Sequence, residues 1–330
     1  MSNEPVVAVL VPCYNEEAAV GAVVRDFKAA LPGAAVYVYD NNSKDRTAAV
    51  AAAAGAVVRR ETLQGKGNVV RRMFADVEAD IYVMVDGDDT YDAASAPRLI
   101  RELVDNQLDM VNGSRVPVEQ EAYRPGHRFG NLLLTGLVTQ VFGKRTNDML
   151  SGYRVFSRRF VKTFPALARG FEIETELTVH ALELRMPIAD VATSYRSRPP
   201  GSASKLSTIK DGLRILWMIG KLVKEERPMP FFGLVAAALA GLAVALAWPL
   251  FMTYVDTGLV PRLPTAILST GLMILAFLSF ASGLVLDTVT QGRREMKRMR
   301  YLELPAPAAV QPAHRRPPQD ESKPDLALAA

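Results

Sequence analysis

The chain has 330 residues, 49% hydrophobic and 22% charged, which excludes a wholly disordered polymer and leaves room for one large domain or two ordinary ones. Its 39 Lys and Arg against 35 Asp and Glu give a net charge of +4, too mild to argue for nucleic acid without a basic stripe. Cys13 is the single cysteine, which excludes an intrachain disulfide and a cysteine-based metal site.

From residue 6 to about residue 200, short apolar runs alternate with helical stretches. Val6–Val11, Val36–Tyr39, Ala56–Val58, Ile81–Val85 and Met110–Val111 predict strands. Glu16–Ala30, Thr47–Ala54, Asn68–Val77 and Ala96–Asn106 predict the helices between them. Strands buried on both faces and separated by helices imply an α/β domain with a mostly parallel sheet, residues 1–204. A ligand in such a sheet sits at the carboxyl ends of the strands, and the polar motifs fall there. The first strand runs into Pro12-Cys13-Tyr14-Asn15-Glu16, the second into Asp40-Asn41-Asn42-Ser43, and the fourth into Asp86-Gly87-Asp88-Asp89.

Side chains alternate along an extended chain, so Asp86 and Asp88 can face the same way. Paired carboxylates repel, and a hard divalent cation such as Mg2+ or Mn2+ is the usual remedy; turn aspartates that only form local hydrogen bonds are the alternative. Asp40 and Asn41 suit nucleotide recognition, a carboxylate for ribose or base donors and an amide for a base edge. Equally, Ser43 would cap the next helix and Asp45 would favour its first turn. Gly65-Lys66-Gly67-Asn68 would approach a phosphate or form a plain turn. Asp148 reads as a catalytic carboxylate or as a cap or salt-bridge member, and Arg115, Arg128 and Arg154 as site cations or as structural partners of acids. Lys205 would bind a phosphate or simply begin the next helix. His127 and His180 look like scaffold. Glu172, Glu174 and Glu176 would face the site or form a solvated face.

Lys205–Arg227 carries six Lys/Arg against three acids, with Leu206, Ile209, Leu213, Leu216, Trp217 and Val223 at near-helical spacing. Residues 205–229 therefore predict a basic amphipathic helix on a membrane surface, or an ordinary surface helix. No charge falls in the 28 positions between Arg227 and Asp256, nor in the 24 between Arg262 and Asp287. Each run exceeds the roughly 20 residues that cross a bilayer core as a helix, so residues 230–287 predict a two-helix transmembrane hairpin, about 231–255 and 263–286. Lysines and arginines flank its outer ends, in residues 288–304 after it, while the turn holds only Arg262. That bias puts both termini and the α/β domain in the cytoplasm. Residues 1–11 lack a basic start, so no signal peptide is expected. Ala237, Ala240, Gly241 and Ala245 permit close helix packing and hence a homo-oligomer. Residues 305–330, with six prolines, predict a disordered tail.

In order and spacing, Pro-x-Tyr-Asn-Glu, the Asp40 turn and Asp-x-Asp resemble the family 2 glycosyltransferases of the GT-A fold. Asp148-Met149-Leu150-Ser151-Gly152-Tyr153-Arg154, Gly201-Ser202-Ala203-Ser204-Lys205 and the hairpin narrow the resemblance to the polyprenyl-phosphate glycosyltransferases, the group of dolichol-phosphate mannose synthases and bacterial undecaprenyl-phosphate sugar transferases. That resemblance implies an inverting transfer of one sugar from a nucleotide-diphosphate donor to a polyprenyl phosphate in a bacterial-type inner membrane. The product would serve envelope glycan or lipopolysaccharide modification. It implies Pro12, Tyr14, Asn15, Glu16, Asp40, Asn41, Lys66 and Asp86 around the donor nucleotide, and Asp86 and Asp88 on Mg2+ or Mn2+. It also implies Arg115, Arg128 and Lys205 at the acceptor phosphate, with Asp88, Asp148 and Arg154 at the catalytic end. The bacterial members favour UDP over GDP, with glucose or galacturonic acid among the candidate sugars. Two departures stand out. Asp-Asn-Asn-Ser replaces a common Asp-Asp-Gly-Ser, and Thr90 stands where some relatives carry a metal-binding Gln. Three competing readings are a processive polysaccharide synthase, a transferase acting on an already glycosylated lipid, and a non-catalytic membrane adaptor. The first lacks its Gln-x-x-Arg-Trp motif and extra spans here. The second would want Asp148 as a base.

Overall fold

The computed structural model describes residues 5–117, 148–199 and 224–307, together with Trp217, Gly220 and Lys221. Seven strands form one sheet: β1 (Val7–Cys13), β2 (Ala35–Asp40), β3 (Val57–Arg60), β4 (Ile81–Met84), β5 (Met110–Pro117), β6 (Arg154–Ser157) and β7 (Ile188–Tyr195). Their order is β3-β2-β1-β4-β6-β5-β7. All neighbours run parallel except β6, which is antiparallel to both β4 and β5. This is the mixed GT-A-like α/β fold. β1 to β5 lie where the apolar runs predict them. β6 and β7 are additional.

Helices α1 (Val20–Ala30), α2 (Thr47–Ala53) and α4 (Ala96–Asp105) cover one face of the sheet. Val20, Val24, Phe27, Ala51, Leu99 and Leu103 pack there on Val9, Val11 and Val83. On the other face lie α3 (Lys66–Asp76), α5 (Arg158–Thr163) and α6 (Ile173–Glu183), whose Val70, Met73, Phe160 and Leu177 meet Leu10, Tyr82 and Phe156. Both faces are covered, which is why β1 and β4 are continuous apolar runs. His180 is buried against the rings of Phe160 and Phe164, and burial, with Lys297 adding to it, lowers its pKa to about 3. A neutral imidazole is scaffold here.

Two long apolar helices follow: α7 (Pro228–Thr257) and α8 (Leu263–Leu302), each long and apolar enough to cross a membrane. Gly258, in the left-handed region at φ 67°, ends α7. The helices meet along Ala236, Ala243 and Leu250 on α7 and Ser269, Ala276, Gly283 and Thr290 on α8. Both seams repeat every seven residues, the period of a left-handed pair, and small side chains let the backbones approach. A Cβ on Gly283 would stand 3.0 Å from that of Phe232. Ala237, Gly241 and Ala245 lie on the exposed side of α7 and play no part in this seam. α8 also continues well past the apolar run, through the basic segment that follows it.

Candidate active site

The carboxyl ends of β1, β2 and β4 open into a cleft of about 600 Å³, within the usual range for a small-molecule site. Pro12, Cys13, Tyr14 and Glu16 follow β1, Asn41 follows β2, and Asp86, Gly87 and Asp88 follow β4. Gln64, Gly65, Lys66 and Val69 come from the start of α3, Arg169–Glu172 from the loop before α6, and Arg198 from the segment after β7. Asn15, Asn42 and Asp89 take the left-handed region at φ 52°, 63° and 58°, which Asn and Asp tolerate best among residues with side chains. All three stand where a strand gives way to a site loop.

The floor of the cleft is an alternation of charge. Lys66 Nζ lies 2.5 Å from Asp86 Oδ1 and 2.5 Å from Glu174 Oε1, with the lysine and Glu174 side chains almost wholly buried. Burial works against the ammonium, but Asp86 and Glu174 outweigh it and hold its pKa above the usual lysine range. Asp88 Oδ2 meets Arg198 at 2.5 Å, and Asp88 Oδ1 accepts from the Thr90 hydroxyl at 2.6 Å. Burial, with Asp86 beside it, pushes the Asp88 carboxyl up. Arg198 also reaches Glu16 at 4.0 Å. Gly152 completes the floor: a Cβ there would stand 2.2 Å from Asp86 Oδ2.

The structure brings Pro12, Tyr14, Glu16, Asn41, Lys66, Asp86 and Asp88 together in this cleft. The other expected residues sit elsewhere. Asp40 is buried and accepts from the Ser43 backbone N–H at 3.3 Å. Asn15 accepts from the Lys44 N–H at 2.7 Å, and its own N–H donates to Ser43 Oγ, so it ties the first two strand-end loops together. Ser43 therefore does not cap α2, whereas Asp45 does serve the first turn, accepting from the Thr47 N–H at 3.0 Å. The Asn41 side chain lines the cleft, with its amide bonded to the neighbouring backbone. It donates to the carbonyls of Glu61 and Leu63 and accepts from the Gly65 N–H at 2.7 Å, fixing the turn that presents Lys66.

Asp148 is buried and held by Arg115, with Nε–Oδ2 at 2.6 Å and Nη2–Oδ1 at 2.8 Å. Arg115 also stacks 5.5 Å over the Tyr195 ring. Arg154 is fully buried rather than turned to the cleft. It donates to the carbonyls of Ser151 and Met149 and to Thr178 Oγ1, and so clamps the Asp148–Arg154 loop on α6. Burial holds its pKa below the usual arginine range. Arg128 and Lys205 lie outside the described residues.

Sequence reasoning did not single out Arg198, nor Arg169 and Phe171, and it left the glutamates open. None of the three glutamates is solvated. Glu172 lines the cleft, Glu174 holds Lys66, and Glu176 accepts from the N–H groups of Leu167 and Ala168. Their i, i+2 spacing looks like a surface strand, and nothing local marks the buried partners.

Residues 8–164 match the glycosyl transferase family 2 profile. The glycosyltransferase AglJ of Haloferax volcanii is 30% identical over 92% of this chain and all of its own length. A dolichyl-phosphate hexose transferase of the same organism is 29% identical over 67% of this chain and 95% of its own. Among solved structures, glucosyl-3-phosphoglycerate synthase from Mycobacterium tuberculosis, in complex with Mn2+ and UDP-glucose, superposes with a TM-score of 0.53 at 23% identity. That match covers 67% of this chain and 78% of the other, and at such identity it speaks for the fold alone.

Proposed function

The chain belongs to glycosyl transferase family 2, and on that premise we propose that it moves a single hexose from a UDP-sugar to a polyprenyl phosphate. Use of a nucleotide-sugar donor goes with the family; the acceptor, the nucleotide and the inverting outcome are the further step. One observation carries the reading. The acidic, cation-lined cleft belongs to a domain whose chain continues into a membrane-length hairpin, which is where a lipid phosphate would be met. The likeness to a dolichyl-phosphate hexose transferase supports the same acceptor class.

A lipid phosphate is already ionised near neutral pH, so its oxygen needs no strong base. The chain must instead hold two anions in line. Lys66 and Arg198 supply fixed positive charge in the cleft floor, and Pro12, Tyr14 and Glu16 line the strand end where the nucleotide would lie. Asp86 and Asp88 offer oxygen donors only, and each already attracts a cation, which fits Mg2+ or Mn2+. No group of three metal-binding side chains converges among the described residues, so donor phosphates and water would complete the shell. When bound, that ion would neutralise the diphosphate leaving group. In-line attack on an α-linked donor gives a β-linked product. On this reading the cleft faces the cytoplasm, and the lipid-linked sugar serves envelope glycan or lipopolysaccharide modification.

A hydroxyl acceptor on an already glycosylated lipid would need a carboxylate base. Asp148, the candidate, is buried and held on both oxygens by Arg115, which favours the phosphate acceptor. The test offers purified protein undecaprenyl phosphate and a glycosylated undecaprenyl diphosphate in parallel, with one labelled UDP-hexose. Label moving to the first lipid supports the proposal. Label moving only to the second overturns it.

A further inference from the structure

α8 is a single helix of 40 residues, yet its uncharged part ends at Leu286. At 1.5 Å per residue, the stretch from Asp287 to Leu302 projects roughly 24 Å beyond the apolar run. This end is not free. Lys297 Nζ lies 2.8 Å from Glu183 Oε2, and Arg294 lies 3.4 Å from Glu183 and 3.6 Å from Glu226. Tyr301 donates to Asp109 Oδ2 at 2.7 Å, beneath the Arg159 guanidinium, which is 4.7 Å from its ring centroid and pairs with the same aspartate. Arg293 and Thr290 both donate to the Glu225 carbonyl at 2.9 Å, which fixes the entry to α7 as well.

The acceptor groups form a built socket. The side chains of Glu183 and Asp109 are 2% and 0% exposed, so each carboxylate is desolvated and depends on the partner from α8 or α5. Tyr301 also packs on the core layer that holds α3, α5 and α6. Glu183 ends α6, and the opposite end of that helix carries Glu174, which holds Lys66 and through it Asp86. Ten of the eleven α6 residues are buried, so the helix is a stiff link from socket to cleft.

We propose that the polar C-terminal end of α8 is a positioning strut for the reaction: Arg294, Lys297 and Tyr301, seated on Glu183, Glu226 and Asp109, set the height and tilt of the cleft over the bilayer. The role rests on the lipid-phosphate reading above. A domain tethered by a loose linker would sample many heights, and only a few would bring the acceptor phosphate into line. The strut removes that freedom before the lipid arrives.

The experiment uses the full chain in lipid nanodiscs, comparing wild type with Arg294→Ala/Lys297→Ala/Tyr301→Phe. Transfer is measured to undecaprenyl phosphate in the disc and to a short, water-soluble prenyl phosphate. A fluorophore on Val57→Cys, an exposed position, reports height through quenching by labelled lipid headgroups, and the chain without that cysteine, treated alike, measures any label taken up by the buried native Cys13. The triple variant should lose about tenfold in kcat/KM on the embedded lipid, keep the soluble acceptor within roughly twofold, and change its quenching. Equal loss on both acceptors, or no loss with unchanged quenching, overturns the strut. If the triple variant does not fold, Tyr301→Phe alone, which removes one hydrogen bond, is held to the same contrast. If wild type uses neither acceptor, the proposed function falls, and the quenching change alone decides the strut.

Discussion

Gly152→Ala tests how tightly the cleft floor is set. The added Cβ would stand 2.2 Å from Asp86 Oδ2, 2.6 Å from Cγ and 2.9 Å from Oδ1, whereas ordinary contact begins at 3.4 Å. The carboxylate or the loop must therefore retreat by roughly 1.2 Å. Neither is free to do so. Asp86 is held by Lys66, which is buried and bound to Glu174, while the Gly152 N–H donates to the Tyr91 hydroxyl at 2.8 Å and β6 begins two residues later. Overpacking of this kind costs about 1–3 kcal/mol of stability, and a displacement near 1 Å at a reacting site costs on the order of 100-fold in rate. The assay pairs kcat/KM for the nucleotide sugar with thermal unfolding in detergent. The same change in an Asp86→Ala background should leave the unfolding midpoint almost unmoved, because the clashing atoms are gone. Gly152→Ala with wild-type rate and midpoint would refute the reasoning.

Lys66→Met leaves the buried Glu174 and the half-buried Asp86 without their shared cation and should cost about 3–5 kcal/mol, read as a lower midpoint. Adding Glu174→Leu should recover most of that stability without recovering transfer. His180 has a pKa near 3 folded against 6.5 unfolded, so the unfolded chain binds the extra proton between those values. Its contribution is complete above pH 6.5 and is lost on acidification at roughly 1.4 kcal/mol per pH unit. Midpoints of wild type relative to His180→Leu should therefore fall as pH drops from 6.5, and parallel profiles would contradict the assignment. Asp148→Asn should weaken the bidentate clamp on Arg115 and lower the midpoint more than it lowers donor affinity, measured by nucleotide-sugar titration.

Much of the frame is legible in the sequence because it follows from local pattern. Val9, Val11, Val83 and Val85 are buried on a covered sheet, so β1 and β4 are apolar throughout, and most of the polar residues just after these two strands line the cleft. The hairpin shows in the same way, as two long runs without charge. β6 is hard to read because it is four residues long and opens with an arginine. That Arg154 looks like a site cation, but the carbonyls of Ser151 and Met149 that absorb it come into place only in the fold. β7 mixes Asp190, Thr193 and Ser194 into an edge strand. The glutamates of α6 are illegible for a related reason: charge predicts solvent unless the partner is known, and Lys66 lies 108 residues away from Glu174. Arg198 and the far end of α8 reach their partners over comparable distances in the chain.

The most direct test of the central claim is transfer of label from a panel of UDP- and GDP-sugars to undecaprenyl phosphate, with Mn2+ or Mg2+, with EDTA, and with Asp88→Ala. One donor should label the lipid, and EDTA and the substitution should each abolish the transfer. Transfer that survives both treatments, or nucleotide-sugar binding with no labelled lipid from any donor, would contradict that claim.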